Sequence, residues 1–413
     1  MGNKIFPKTV FFLLAGACVL LLFYQYFVHR AVTSKEVSFV DASDRLKHYN
    51  WSSLIDTPNG SGVCALDANN DGLQDLFFPG LGDFNINLTK LSGYQSGNRL
   101  YLNQGNDKAN IPEFKEVSEE SKVRNVGKMG VGCVVADYNN DGWEDILVTN
   151  ATKGAYYAAY GSWNSSGGQR FFPPDFFPTD KTDGKYDFPN EGGVTLFQNL
   201  GLDHGVPKFT DVTLNAGLTR GGNGTSASFA DVNNDGFVDL FVSNYSDYDY
   251  VGFSFMHFAG QFNVLYRNNG NGTFSDVTKE ANVAGESEFV YTLQGQKQFG
   301  YDKNLKDSKG RVVGDPAGNT LACAFFDYND DGLVDLVTAD DIPGRIRLYK
   351  NLGNFKFAQV SDENDMGTAG AWMGIAIGDI NSDGTQDFFA TNFGGPWGAQ
   401  YRVGSKETFM MDI

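Results

Sequence analysis

The sequence is short of the residues on which most enzyme and metal chemistry rests. Cysteine and histidine each occur only four times in 413 residues. Cys18, Cys64, Cys133 and Cys323 show neither zinc-ligand spacing nor a readable disulfide framework. The last three stand three or four residues ahead of an acidic stretch, on expected core strands, where cysteine is expected as a small buried hydrophobe. His29, His48, His204 and His257 build no His-Glu-x-x-His pair. A Gly-x-Ser-x-Gly elbow and a phosphate loop are missing too, so the chain is read as not an enzyme. Positive charge is scarce: 32 Lys+Arg face 50 Asp+Glu, a net charge of −18. Nucleic acid and anionic lipid surfaces are thereby disfavoured as partners, and counter-cations are called for.

Long apolar runs are almost missing as well. The exception is Val10 to Val28, preceded by Lys4 and Lys8, close to the length that spans a bilayer as a helix. Residues 1–35 are therefore expected to be a transmembrane signal-anchor that ties residues 36–413 to a membrane outside the cytoplasm. A cleaved signal is the main rival, because Ala15-Gly16-Ala17 precedes Cys18 like a small-residue cleavage site, and a buried helix is the other. The charges on the two flanks, Lys4 and Lys8 against Arg30 and Lys35, are too balanced to orient the segment.

What is abundant is glycine (50) and phenylalanine (35), a mix suited to turn-rich, aromatic-packed β structure. One pattern, Asp-x-Asn-x-Asp-Gly-x-x-Asp, occurs five times, starting at Asp67, Asp137, Asp231, Asp327 and Asp379. Short apolar runs flank the loops, for example Cys133-Val134-Val135-Ala136 before and Ile146-Leu147-Val148 after, and read as buried strands. Two more strand signatures follow in constant order. Leu100-Tyr101-Leu102-Asn103, Leu196-Phe197-Gln198-Asn199, Leu265-Tyr266-Arg267-Asn268 and Leu348-Tyr349-Lys350-Asn351 form the first. Phe114-Lys115-Glu116-Val117, Phe209-Thr210-Asp211-Val212, Phe274-Ser275-Asp276-Val277 and Phe357-Ala358-Gln359-Val360 form the second.

Four strands per repeat predict an all-β fold, a β-propeller of four-stranded blades. Phe39 to Ser43 reads as an isolated strand fit to complete a last blade. Thr408 to Met411 either closes a five-bladed ring or, the preferred expectation, the chain is part of a larger one. Insertions at about 152–192, rich in aromatics, and 283–319, more polar, break the spacing. Such insertions map to one face, often the binding face.

Each acidic loop offers hard oxygen donors of the kind Ca2+ takes. The expected ligands are Asp67, Asn69, Asp71, the Leu73 carbonyl and Asp75 in loop 1, and Asp137, Asn139, Asp141, the Trp143 carbonyl and Asp145 in loop 2. Loop 3 supplies Asp231, Asn233, Asp235, the Phe237 carbonyl and Asp239; loop 4 supplies Asp327, Asn329, Asp331, the Leu333 carbonyl and Asp335. In loop 5 they are Asp379, Asn381, Asp383, the Thr385 carbonyl and Asp387. Simple Asx turns need no acid at position 9, which favours a cation. No Glu stands at position 12, so these are not EF-hands. About five structural calcium ions are expected, saturated at extracellular but not cytosolic concentrations.

These motifs resemble the FG-GAP/VCBS repeats of integrin α-subunit propellers. The joint pattern of acidic loop, Leu-Tyr-x-Asn and Phe-x-Asp-Val-Thr looks like the cartilage-acidic-protein family over residues 39 to about 395. That resemblance implies a seven-bladed, calcium-dependent propeller, extracellular or periplasmic, followed in many members by an ASPIC/UnbV module. Five loops and no such module are found in this chain. The expected role is adhesion or recognition of a protein or glycan through one propeller face, with Tyr156, Tyr157, Tyr160, Trp163, Phe171, Phe172, Phe176 and Phe177 as stacking candidates. A packed satellite core is the competing use of those rings. A membrane-tethered scaffold and a polysaccharide-processing enzyme are the alternatives in function. Asn-x-Ser/Thr triplets stand at Asn50, Asn59, Asn87, Asn150, Asn164, Asn223, Asn244 and Asn271, with Asn164 the favoured acceptor if the chain is glycosylated.

Overall fold

Alternation of large apolar residues along each short strand gives both of its faces something to bury, so the sheets stack. The computed structural model describes residues 45–46, 62–80, 97–125, 128–151, 192–247, 259–285, 290–291, 297–298, 318–341, 344–364, 366, 369–370 and 372–392. All of these lie in one compact unit, Arg45–Ile413.

Sheet 1 comprises Cys64–Leu66, Asp75–Phe78, Arg99–Asn106 and Pro112–Glu116, hydrogen-bonded in chain order and antiparallel. Sheet 2 repeats this with Met129–Ala136, Asp145–Ala151, Gly193–Asp203 and Val206–Asp211. Sheet 3 uses Gly224–Ala230, Asp239–Asn244, Val264–Asn268 and Phe274–Asp276. Sheet 4 uses Thr320–Phe326, Asp335–Asp340, Gly344–Asn351 and Phe357–Gln359, with the short strand Ala369–Gly370 added beside the third. Sheet 5 shows two strands, Trp372–Gly378 and Asp387–Asn392. Register repeats with the sequence: Phe77 pairs with Leu100, Leu147 with Leu196, Phe241 with Leu265 and Val337 with Leu348.

First strands of successive sheets pack side by side, and a separate core fills each gap. In the second strand of sheet 2, Ile146 and Val148 face the core shared with sheet 1, while Leu147 faces the core shared with sheet 3. Leu240 and Val242 likewise point back to sheet 2, and Phe241 points forward to sheet 4. Period-2 alternation with both faces covered explains why these runs are apolar throughout. Each such Leu, Ile or Phe contributes about 1.5–3 kcal/mol by leaving water.

The Phe-x-Asp-Val-Thr signature fastens fourth strands to third. The Asp211 carboxylate accepts from the N–H (3.0 Å) and hydroxyl of Thr213, whose Oγ1 in turn accepts from Leu196 N–H at 2.9 Å. Asp276 and Thr278 repeat the arrangement against Leu265.

The observed architecture is thus all-β, with four-stranded antiparallel sheets and almost no helix, as the repeat arithmetic predicted. Among the described residues the row of sheets does not close into a ring. Phe39 to Ser43, Thr408 to Met411, the segment 1–35 and nearly all of both insertions lie outside the described residues. No described helix is long and apolar enough to cross a membrane.

The cysteines depart from expectation. Cys64 and Cys133 are not separate buried hydrophobes but a disulfide, Cα–Cα 6.0 Å, joining the first strands of sheets 1 and 2. Pairing arises because the two residues hold nearly the same place in consecutive repeats, and side-by-side packing of first strands brings them within bonding reach. Cys323 alone fits the original reading: it is free and buried, and burial pushes its thiol up to about 11.

Candidate functional site

Every acidic loop joins the first strand of a sheet to its second, so all five emerge from corresponding strand ends. Glycine at position 6 is required by the backbone: φ is 85° at Gly72, 87° at Gly142, 88° at Gly236, 82° at Gly332 and 91° at Gly384. Position 4 is left-handed as well, at Asn70, Asn140, Asn234, Asp330 and Ser382. Four of these five are Asn or Asp, the types that tolerate that conformation.

Within a loop the predicted residues hold one another. In loop 1, Asp67 Oδ1 accepts from Asp71 N–H at 3.0 Å and its Oδ2 from Gly72 N–H at 2.8 Å. Asn69 Nδ2 donates to Asp71 Oδ2 at 2.8 Å, and Leu73 N–H to Asp71 Oδ1 at 2.9 Å. The same bonds to the first carboxylate recur at Asp137, Asp231, Asp327 and Asp379. Position 7 follows suit: the N–H groups of Trp143, Phe237, Leu333 and Thr385 donate to Asp141, Asp235, Asp331 and Asp383. Positions 1, 3, 5 and 7 are therefore gathered on one turn, and Asn139, Asn233 and Asn381 repeat the amide contact of Asn69.

Position 9 is placed differently. Asp75, Asp145, Asp239 and Asp335 are buried at the start of the second strand. Each accepts two main-chain N–H groups: Asp75 from Ala68 (3.0 Å) and Asn103 (2.7 Å), Asp145 from Tyr138 (3.2 Å) and Asn199 (2.7 Å). Asp239 takes Val232 and Asn268; Asp335 takes Tyr328 and Asn351. Asp387 accepts from Ile380 at 2.9 Å and is more exposed. This carboxylate straps the loop to the third strand, a role the repeat spacing did not reveal. A paired signal was present: every described partner on the third strand is the Asn that closes Leu-Tyr-x-Asn or its variant.

Charge is concentrated here. Burial pushes Asp75 up to about 6, against the pull of the Asn103 and Ala68 amides and with a further push from Asp71 and Asp67. Asp145 and Asp239 are pushed to about 7 and Asp335 to about 6, burial again being the largest cause. Among the described residues no Lys or Arg pairs with any of these four. Loop 4 differs at position 5: the Leu333 amide, and then Lys350 Nζ at 3.3 Å, hold Asp331 below the usual carboxylate range.

The donor set at each loop is oxygen throughout, which suits a hard divalent cation. Among the described residues no three His, Cys, Asp or Glu side chains converge closely enough to hold an ion unaided.

The long connections attach at the opposite strand ends. Residues 81–96, 152–191 and 248–258 link second strands to third, and 286–317 lies between sheets 3 and 4. The aromatic candidates Tyr156 to Phe177 and Asn164 fall in these stretches, outside the described residues. Asn150, Asn223 and Asn244 are buried, whereas Asn271 is exposed on the turn before Phe274–Asp276.

A family model described as the FG-GAP-like repeat matches residues 327–390, from the fourth acidic loop through the fifth. No curated protein matches the sequence. Among solved structures, an Agrocybe aegerita lectin that recognises non-reducing terminal N-acetylglucosamine is similar at 15% identity and a TM-score of 0.28, over 80% of this chain and 74% of the lectin. A Bacillus licheniformis rhamnogalacturonan lyase is similar at 12% identity and 0.31, over 81% of this chain and 56% of the lyase. The β-1,3-galactosidase BT3683 is similar at 11% and 0.31, over 80% of this chain and 84% of that one. At scores this low the likeness carries no argument about this chain.

Proposed function

We propose that the chain is a calcium-binding β-propeller that works outside the cytoplasm as a recognition module for a protein or glycan. The observation that carries the reading is the fivefold repetition of one oxygen-lined turn with the same internal hydrogen bonds. Three carboxylates on nine residues repel one another, and a divalent ion offsets that repulsion; among the described residues only loop 4 has a Lys or Arg partner of its own, Lys350 on Asp331. In loop 1 the residues that would hold it are Asp67, Asn69, Asp71, the Leu73 carbonyl and Asp75, and the other loops follow in kind. The ion supplies structural cross-linking rather than chemistry. Side-by-side first strands, with a core shared between each sheet and the next, support the propeller as the complete architecture.

The Cys64–Cys133 disulfide supports an oxidising compartment, and millimolar calcium is found in the same places. Recognition is assigned to the strand ends opposite the loops, because the long connections attach there. A function confined to the loop end would leave those connections without a use.

Calcium titration with thermal melting and calorimetry tests the cation. Each site at 100 times its dissociation constant adds about 2.7 kcal/mol, so several sites move the melting temperature by many degrees. Equal melting in chelator and in 2 mM calcium (about the extracellular level), with no heat of binding, would falsify the proposal. Glycan-array and pull-down binding, lost in Tyr157→Ala or Trp163→Ala but kept when loop residues are changed, tests the recognition end.

A further inference from the structure

We infer that the acidic loops are a mechanically coupled row, in which ordering any one of loops 1 to 4 orders its neighbours, while the step from loop 4 to loop 5 lacks the position-4 bond. Two sets of side-chain bonds run from loop to loop. In the first set, position 4 of each loop donates to the glycine carbonyl at position 6 of the next. Asn70 Nδ2 reaches Gly142 O at 3.0 Å, Asn140 reaches Gly236 O at 2.9 Å, and Asn234 reaches Gly332 O at 3.2 Å. All three asparagines are left-handed, with φ of 54°, 58° and 58°, the conformation from which the amide reaches across to the next turn.

The second set comes from the Asn that closes the third strand. Asn199 Nδ2 bonds Ala68 O in loop 1 (2.9 Å) and Glu144 O in loop 2 (3.2 Å). Asn268 bonds Tyr138 O in loop 2 (2.8 Å) and Val238 O in loop 3 (3.0 Å). Asn351 bonds Val232 O in loop 3 (3.0 Å) and Val334 O in loop 4 (2.9 Å). Each of these buried amides thus spends both hydrogens on two consecutive loops. The same three residues also give their N–H to the position-9 carboxylate of their own loop. Loop 2 or 3 on opening must therefore break bonds to its own sheet and to both neighbours, and loop 1 or 4 to its sheet and to one.

Among the described residues both sets end at loop 4, and residues 393–413 lie outside them. Position 4 is Asp330, which keeps the left-handed φ of 55° but carries a carboxylate with no hydrogen to give a carbonyl. Loop 5 has Ser382 there and a more exposed position 9. Only the donors run one way along the chain; the coupling itself is reciprocal, and between loops 4 and 5 the position-4 bond is interrupted by an Asp where the earlier loops have Asn.

The coupling stands on bonds present without any ion, and its consequence for filling rests on the calcium reading above. The experiment uses the full chain and the exposed variants Asn140→Asp, which copies the natural break between loops 2 and 3, and Asp330→Asn, which restores the missing donor. Amide hydrogen exchange in chelator reads the row directly. With one neutral hydrogen bond worth about a fivefold change in an opening equilibrium, Asn140→Asp speeds exchange of Gly142 and Trp143 and also of Gly236 and Phe237 by about that factor. Asp330→Asn slows Gly384 and Thr385 by a similar amount. Faster exchange in loop 2 alone, with loop 3 unchanged, overturns the coupling, as does an Asp330→Asn variant whose loop 5 is untouched. In calcium, wild type fills loops 1 to 4 in one steep step and Asn140→Asp splits that step in two. Failure of any loop to take calcium sinks the cation reading and leaves the exchange result to decide the row.

Discussion

Removing the disulfide with Cys64→Ala and Cys133→Ala together tests how sheet 1 is held. The bond closes a segment of 69 residues. Chain entropy for a loop of that length is about 15 cal/mol/K, or about 4.4 kcal/mol at 25 °C. Spread over the unit Arg45–Ile413, with an unfolding entropy of about 2.1 cal/mol/K per residue, that loss lowers the melting temperature by about 6 °C if the sheets unfold together. Stacked repeats need not do so, since each contacts only its neighbours. Sheet 1 shares its core with sheet 2 through Leu66, Phe77, Leu100 and Val117 against Ile146, Val148, Phe197 and Phe209. Losing the bond then shows as a separate early transition of sheet 1, with new protease cuts ahead of Met129. Scanning calorimetry and timed proteolysis of oxidised wild type and the double Ala variant distinguish the two patterns. A variant melting within a degree of wild type, with an unchanged digest, refutes the reasoning; so does finding Cys64 and Cys133 as free thiols in secreted protein.

Asp239→Ala removes the acceptor of two buried amides, Val232 and Asn268. At about 1–3 kcal/mol per unsatisfied donor, urea unfolding in chelator shows a loss of about 2–6 kcal/mol, and no loss would remove the strap. Glycosylating secretion hosts modify Asn271 and leave Asn150, Asn223 and Asn244 bare, because these three are buried in the fold; peptide mapping that finds glycan on any of the three contradicts it. Burial raises the Asp276 carboxyl, but the Thr278 hydroxyl and N–H and then Arg220 outweigh it and hold it below the usual carboxylate range. A lowered pKa contributes stability that is present above the unfolded value of about 3.9 and is lost as pH falls through the folded one. The stability gap between wild type and Arg220→Ala therefore closes below about pH 4, and a gap that stays constant from neutral pH to pH 3 counts against the pair.

Strand identity and order were legible because period-2 apolar runs and glycine turns recur with the repeat, and the resulting sheets keep that order. The disulfide was not legible, since Cys64 and Cys133 become neighbours only when first strands pack side by side. Nor was the link between loops. Asn199 lies 131 residues from Ala68 in the chain, and nothing local marks its amide as the bridge between two loops. Its repetition at Asn268 and Asn351 did carry the information. A polar residue kept at the end of an otherwise apolar strand signature needs a partner in the interior. Position 9 taught the reverse lesson. An acid there favoured a metal because a turn does not need one, yet its two oxygens are also the acceptors of two buried main-chain amides, so the same residue serves the fold without any ion.

Position 5 separates those two demands, and Asp235→Asn in loop 3 is the substitution that uses the difference. Asp235 Oδ1 accepts from Phe237 N–H at 2.9 Å, and its Oδ2 meets Asn233 Nδ2 at 2.8 Å. An Asn side chain keeps the first acceptor; rotation of the Asn233 amide restores the second contact at the loss of the longer bond from the residue-235 N–H to Asn233 Oδ1 (3.3 Å), and because Asp231 Oδ1 still accepts that N–H at 3.0 Å, the turn survives with one charge fewer. In chelator the variant is expected to melt at or slightly above wild type, because Asp231 and Asp239 lose a repelling neighbour. In calcium it is expected to melt below wild type, since an anionic ligand of the shell has become a neutral one and affinity falls. The sign of the difference thus reverses between the two conditions. A purely structural turn gives the same sign in both, and a matched pair of melts at fixed ionic strength is enough to tell them apart.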